Sequence, residues 1–220
     1  MLKTPKDNDE LMKIVANRRD YLGLEKFDDA VIETMRGLDR ADFLPKNTKD
    51  IYEDAPAPIG NHQTCSQPSM IACMATLLEL RPGLKALEVG AGCGYSASVA
   101  ARLISPGGTL ISIEVVPELA DMAAANLKRN GIENARVVLG DGSAGLPEEA
   151  PFDRIYLTAG AGKYFDENVL LDQLTGNGIL LYPESHGSMF LLKKNGLHID
   201  RNIMGGVAFV FLKGKNSGYR

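Results

Sequence analysis

Leu87-Glu88-Val89-Gly90-Ala91-Gly92-Cys93-Gly94-Tyr95-Ser96 reads as a buried strand that runs into a glycine turn and opens a helix. Glycines at 90, 92 and 94 remove the Cβ atoms that would hold a ligand away from the backbone N–H groups. The spacing is not that of a dinucleotide site, because Tyr95 stands where G-x-G-x-x-G requires its third glycine. Glu88, two residues before Gly90, would repel a pyrophosphate but suits a cationic ligand. The turn therefore points to S-adenosyl-L-methionine, which carries an ammonium and a sulfonium. Glu88, Gly90, Ala91, Gly92 and Gly94 are the first candidate cofactor-binding residues.

Downstream of the turn, short apolar strands alternate with helices. Strands are expected over 85–89, 109–113, 135–139, 154–158 and 179–182, with helices over 95–104, 117–130 and 167–174. Such alternation implies βαβ crossovers and a parallel sheet covered on both faces. Two final strands, over 188–193 and 206–212, have no helix between them and fit an antiparallel finish. The expected fold is α/β, a doubly wound, mostly parallel seven-stranded sheet with an N-terminal helical extension and antiparallel C-terminal strands. In such sheets ligands bind beyond the carboxyl ends of the strands. Glu114 closes the strand after the turn and can accept both hydroxyls of a ribose; Val115 follows it. Asp141, in Gly140-Asp141-Gly142, can accept the exocyclic amine of an adenine. Taken singly, either acid could be a solvated strand end. A nicotinamide enzyme also places an acid about 20 residues on, so Glu114 does not discriminate; Glu88 and the missing third glycine do.

Upstream, apolar residues at helical spacing mark helices over 9–19 and 28–38, with Asp28 as an N-cap of the second. Residues 43–68 lose all periodicity and carry five prolines or glycines (Pro45, Pro56, Pro58, Gly60, Pro68). A loop longer than about 12–15 residues in a compact domain is usually functional or disordered. Ile51, Tyr52 and Ile59 make this one apolar enough to pack, which favours function. A helix over 68–80 follows, and Pro82-Gly83 ends it. The whole chain, 1–220, reads as one domain, with helices and a substrate loop over 1–82 and an α/β core with its C-terminal strands over 83–220.

Bulk properties exclude several classes. A net charge of −4 gives no footprint for nucleic acid. No apolar run is long enough to span a membrane, and the first residues lack a signal-peptide core. The three cysteines, Cys65, Cys73 and Cys93, form no C-x-x-C pair, which argues against zinc or a disulfide framework and fits a cytoplasmic location. No metal is expected.

The chain resembles the protein-L-isoaspartate O-methyltransferase family nearly end to end. The resemblance rests on Tyr52-Glu53-Asp54-Ala55-Pro56-Ala57-Pro58-Ile59-Gly60, on Gln63-Thr64-Cys65-Ser66-Gln67-Pro68, on the glycine turn, on Gly140-Asp141-Gly142-Ser143-Ala144-Gly145 and on Ala150-Pro151-Phe152-Asp153-Arg154-Ile155. The glycine turn is common to many methyltransferases, whereas the Gln-Thr-x-Ser-Gln-Pro loop is specific. The resemblance implies a Rossmann-like methyltransferase fold and methyl transfer from S-adenosyl-L-methionine to the α-carboxyl of an isoaspartyl residue. The ester then closes to a succinimide that reopens partly as aspartate, which is repair. It further implies Ser66 as the active-site residue, Gln63 and Thr64 as cofactor contacts, and Ile59, Thr64, Ser66, Val207 and Phe209 as substrate contacts, the last two within a strand that grips the substrate backbone. Gly142 joins Asp141 on the cofactor side. Isoaspartyl proteins or peptides are the expected partners, and a monomer is expected.

Three positions depart from the family pattern: His62 in place of a small residue, Cys65 in place of isoleucine, and Phe211 in place of proline. They leave open a carboxyl methyltransferase for another peptide or a small acid; a non-catalytic S-adenosyl-L-methionine-binding module is a third reading. A serine suits the acceptor site because one hydroxyl can hold a carboxylate without neutralising it. Ser66 could instead cap the helix that starts at Pro68. Cys65 has no basic partner visible in sequence and reads as inert packing. His62 reads as a packed or solvated loop residue, and His186 and His198 offer no triad or metal spacing.

Overall fold

In a computed structural model that describes residues 4–219, the N-terminal helices are capped by aspartates. Asp7 accepts the Glu10 N–H at 2.8 Å ahead of α1 (Asn8–Ala16). Asp28 accepts the Ala30 N–H at 2.8 Å ahead of α2 (Asp29–Arg36). Each cap satisfies a donor that the first helical turn leaves unpaired. The expected loop then contains an antiparallel hairpin, β1 (Ala57–Gly60) and β2 (Gln63–Cys65). Its two turn residues, Asn61 and His62, have φ of +51° and +58°. That left-handed pair is what a two-residue hairpin loop needs to match the twist of its strands. The hairpin leads directly into α3 (Pro68–Leu77).

The remainder is the doubly wound sheet. Chain order runs β3 (Lys85–Val89), α4 (Tyr95–Ile104), β4 (Thr109–Glu114), α5 (Pro117–Arg129), β5 (Ala135–Leu139), β6 (Phe152–Leu157), α6 (Asn168–Leu171), β7 (Leu174–Pro183), β8 (His186–Asn195) and β9 (His198–Ala208). In space the seven strands lie in the order β5-β4-β3-β6-β7-β8-β9. Pairing is parallel from β5 to β7 and antiparallel from β7 to β9. The winding direction reverses between β3 and β6, which makes the carboxyl ends of those two strands the switch point where a ligand crevice forms.

Period-two alternation splits the core into two apolar layers. Leu87, Val89, Ile111, Ile113, Ile155 and Leu157 pack on one face, with Leu170 and Leu171 of α6. Ala86, Leu110 and Tyr156 pack on the other, with α4, α5 and the N-terminal helices. Burying each of these large apolar side chains contributes about 1.5–3 kcal/mol.

Several expected boundaries move, most of all in the C-terminal third. β7 begins at Leu174, with a register slip against β6 between Phe152 and Arg154, and α6 shrinks to a single turn. The last strand is not 206–212 but β9, which ends at Ala208; beyond it Phe211 makes a lone bridge to Gly160. β9 is an edge strand, and most of its side chains face solvent, so it carries little apolar signal.

Candidate active site

The glycine turn is fixed by contacts that leave no room for side chains. Gly90 has φ +104°, and a Cβ there would run into the Thr158 hydroxyl, which donates to the Gly90 carbonyl at 2.5 Å. Gly94 caps α4 at φ +82°, where a Cβ would sit 3.1 Å from the Ala123 carbonyl of α5. Glu114, at the end of β4, holds the turn from below. Its Oε2 accepts the Gly92 N–H at 2.9 Å, and its Oε1 accepts the Val115 and Val116 N–H groups at 2.9 and 3.0 Å. A carboxylate offers about four acceptor positions, so three are spent on the backbone and one remains.

Beyond these strand ends lies an open cavity of about 750 Å³, part of it solvent at its mouth. Gln63, Thr64, Gly90, Ala91, Gly92, Glu114, Val115 and Gly142 all line it. Glu88, Gly94 and Asp141 are not in the lining. Glu88 lies under the turn, beside Ser112 of β4 and Tyr156 of β6 on the same face of the sheet. Its Oε2 accepts the Ser112 hydroxyl at 2.5 Å, and its other oxygen has no partner among the described residues. Burial pushes this carboxyl up to about 7. Asp141 instead ties the C-terminal tail to the turn after β5, accepting the Ser143 and Lys215 N–H groups at 2.9 and 2.8 Å.

A smaller cavity of about 360 Å³ adjoins, lined by Pro56, Gln67, Met70, Ala208 and Phe209 among others. Thr64, Ser66, Thr158 and Val210 line both cavities and form the wall between them. Ser66 does not cap α3. The cap position is Gln67, which makes no side-chain capping bond, and the Ser69 N–H is taken at 2.8 Å by Asp54. Among the described residues the Ser66 hydroxyl makes no hydrogen bond. Asp54 also accepts from the Ser69 hydroxyl (2.6 Å), Gln67 Nε2 (3.2 Å) and Arg18 Nη2 (2.8 Å), so it braces the chain just after Ser66. Ile59 and Val207 line neither cavity. Both are buried, and Ile59 Cδ1 supports the turn, 3.3 Å from where a Gly92 Cβ would stand.

No sequence pattern marks Thr158, which follows β6 at the switch point; its place in the site depends on β6 lying beside β3. Arg40, absent from every motif, is wholly buried and holds the chain ahead of the hairpin, donating to the carbonyls of Ile51 and Glu53 at 2.8 Å and of Ala55 at 2.7 Å.

The chain from residue 7 to 217 matches the family described as protein-L-isoaspartate(D-aspartate) O-methyltransferase. It belongs to that family. A relative from Methanopyrus kandleri, a protein-L-isoaspartate O-methyltransferase, is 45% identical over 191 residues, covering 84% of each chain. Protein-L-isoaspartate O-methyltransferase 2 of Archaeoglobus fulgidus is 41% identical over 214 residues, covering 95% of each. Among solved structures, one protein-L-isoaspartate O-methyltransferase superposes with a TM-score of 0.82 at 28% identity, covering 96% of this chain and 67% of its own. A protein described as a putative family member from Plasmodium falciparum, solved with S-adenosyl-L-homocysteine, gives 0.79 at 26% identity and covers 95% and 99%. Membership makes this chain an S-adenosyl-L-methionine-dependent methyltransferase, and the mostly parallel sheet with antiparallel C-terminal strands is the family's fold. Among the described residues no helix is long and apolar enough to cross a membrane. No cluster of three or more His, Cys, Asp or Glu side chains there could hold a metal.

Proposed function

We propose that this enzyme methylates the α-carboxyl of L-isoaspartyl residues in damaged proteins and peptides, as a cytoplasmic monomer of one domain, with Ser66 holding the acceptor. The observation that carries this reading is the position of Ser66 and Thr64 in the wall shared by the two cavities. The larger cavity fits the cofactor. Its floor is the bare backbone of the glycine turn, and Glu114 keeps one acceptor position. Gln63, Thr64, Gly90, Ala91, Gly92, Glu114, Val115 and Gly142 would hold it.

When bound, S-adenosyl-L-methionine supplies a methyl made electrophilic by a sulfonium. The acceptor carboxylate is itself the nucleophile, so the chain needs no strong general base. What its residues must do is orient and desolvate. The Ser66 hydroxyl, with no partner of its own among the described residues, can donate one hydrogen bond to the carboxylate and leave its charge intact. A lysine or arginine there would also orient it but would blunt its nucleophilicity. Met70, Val210 and Phe209 provide apolar walls that displace water from the reacting oxygen. Such positioning is worth up to about 7–11 kcal/mol of the barrier.

The test is Ser66→Ala. Turnover of an isoaspartyl peptide is expected to fall by about 10- to 100-fold, the effect of one lost hydrogen bond to a charged group. Affinity for S-adenosyl-L-homocysteine, measured by calorimetry, should stay within about threefold. Unchanged turnover would remove Ser66 from the mechanism.

A further inference from the structure

One polar side chain of the acceptor side has no part in the transfer derived above. Gln67 lines the smaller cavity and not the larger, so it borders the acceptor and not the methyl donor. The other three polar side chains of that cavity, Thr64, Ser66 and Thr158, stand in the wall that the two cavities share. Although Gln67 occupies the N-cap position of α3, its side chain makes no capping bond.

The Gln67 carboxamide is held from both ends. Its Nε2 donates to Asp54 Oδ2 at 3.2 Å, and its Oε1 accepts the Tyr21 hydroxyl at 3.4 Å. Neither partner lets the amide turn over. Against burial, the hydrogen bonds from Ser69, Arg18 and Gln67 hold the Asp54 carboxyl below its ordinary value, so it can only accept. Burial pushes the Tyr21 hydroxyl up to about 12, so it keeps the proton it donates. The Tyr21 ring is set in turn by an edge contact with Phe27, with centroids 5.6 Å apart. An amide –NH2 carries two donors. One is spent on Asp54, and the second has no partner among the described residues.

An isoaspartyl residue brings more than its α-carboxylate into the cavity. It carries an amide carbonyl on each side: that of the preceding residue, and that of the linkage made through its own side chain. A carbonyl taken out of water without a new partner is costly, and the side chains of Met70, Phe209 and Val210 offer it only apolar surface. The Phe209 N–H is already given to the Ser185 carbonyl at 2.8 Å. We propose, on the isoaspartyl reading of this site, that the second Nε2–H of Gln67 binds one of these amide carbonyls. Gln67 is then a substrate-binding residue, and Asp54 and Tyr21 are the positioning residues that aim it. Ser66 holds the carboxylate next to the methyl donor, and Gln67 holds the backbone beside it. Two fixed points set the direction of the substrate chain through the cavity, which one hydrogen bond does not. The bond to Gln67 is made away from the reacting oxygen, in ground state and transition state alike, so its loss raises KM and spares kcat.

Steady-state kinetics decide the matter, run on an isoaspartyl peptide and on two analogues with an ester in place of the amide before or after the isoaspartyl residue. An ester carbonyl is a weaker acceptor than an amide carbonyl. Gln67→Met keeps the side-chain length without the donor and should raise KM for the parent peptide by about 10-fold. Both kcat and the affinity for S-adenosyl-L-homocysteine should stay within about threefold of wild type. In wild type one ester should raise KM by about threefold, and in Gln67→Met that ester and the parent should be equal, a coupling that a merely structural residue would not show. Which ester responds identifies the carbonyl. Tyr21→Phe keeps the ring on Phe27 and frees the amide to turn; it should raise KM by about threefold and shrink the same ester effect, independently of how well Gln67→Met folds. An unchanged KM in both variants, a loss in kcat instead, no ester effect in wild type, or the same ester effect in wild type and variants would overturn this inference and leave the isoaspartyl reading standing. No methylation of the parent peptide by wild type would overturn both.

Discussion

The sheet side and the loop side of the site are built from different material. On the sheet side the contacts are made by backbone: the glycine turn is clamped by Glu114, whose three hydrogen bonds all go to main-chain N–H groups. On the loop side the contacts are side chains hung from a short hairpin and braced by Asp54, and the Ser66 hydroxyl is uncommitted. The first arrangement is pre-formed and binds the same shape each time. The second holds its polar group in reserve for a ligand. Damage to the sheet side should therefore appear as lost cofactor affinity, and damage to Ser66 or its Asp54 brace on the loop side as lost turnover.

The largest expected effect is that of Glu114→Ala. It strands three N–H groups and removes the remaining acceptor, and affinity for S-adenosyl-L-homocysteine should fall by about 100-fold, or about 2.7 kcal/mol. A loss below about threefold in a titration would erase the distinction between the two sides. Next is Asp54→Ala on the loop side. Removing an acceptor shared by Ser69, Gln67 and Arg18 should lower stability by about 2 kcal/mol, read as a shifted denaturation midpoint. Turnover should fall with it, while S-adenosyl-L-homocysteine affinity in the folded enzyme is retained. An equal fall in affinity would mean that Asp54 also positions Gln63 and Thr64, the loop residues on the cofactor side.

The smallest effect is a slope. Glu88 is buried beneath the turn with its carboxyl raised from 4.5 to about 7. In this window the folded chain keeps a proton that the unfolded chain has lost. That contribution is fully present below pH 4.5 and is lost as pH rises through about 7. The slope approaches but does not exceed about 1.4 kcal/mol per pH unit. Glu88→Gln cannot titrate, so denaturation midpoints of the two proteins should diverge between pH 5 and 7, with the wild type losing ground. Parallel profiles would show that Glu88 is ionised in the fold.

What was legible in sequence follows from how the residues are buried. β3, β4 and β6 are buried on both faces and rich in apolar residues, so their pattern survives without knowledge of their neighbours. β1 and β2 have four and three residues, too few for a period, and were read as loop although Asn61-His62 is the turn that joins them. β9 is exposed along most of its length, so the apolar run 207–212 drew the expected strand past its true end. In the site, Gly90, Gly92 and Glu114 were readable because a strand-end turn is a local feature. Glu88 stands out in sequence for its charge, but strand alternation puts it beside Ser112 and Tyr156 on the face covered by α4 and α5, outside the cavity. Thr158 and Arg40 depend on contacts between distant segments, and no local spacing announces them.

The central claim, a site that takes an isoaspartyl α-carboxyl beside the methyl donor, is tested most directly by a matched pair of peptides. The two should differ only in an isoaspartyl or an ordinary aspartyl linkage at one position, and both should be incubated with enzyme and methyl-labelled S-adenosyl-L-methionine. The account predicts base-labile methyl ester on the isoaspartyl peptide and background labelling on its aspartyl twin. Equal labelling of the two, or labelling of neither by an enzyme that still binds S-adenosyl-L-homocysteine, would contradict it.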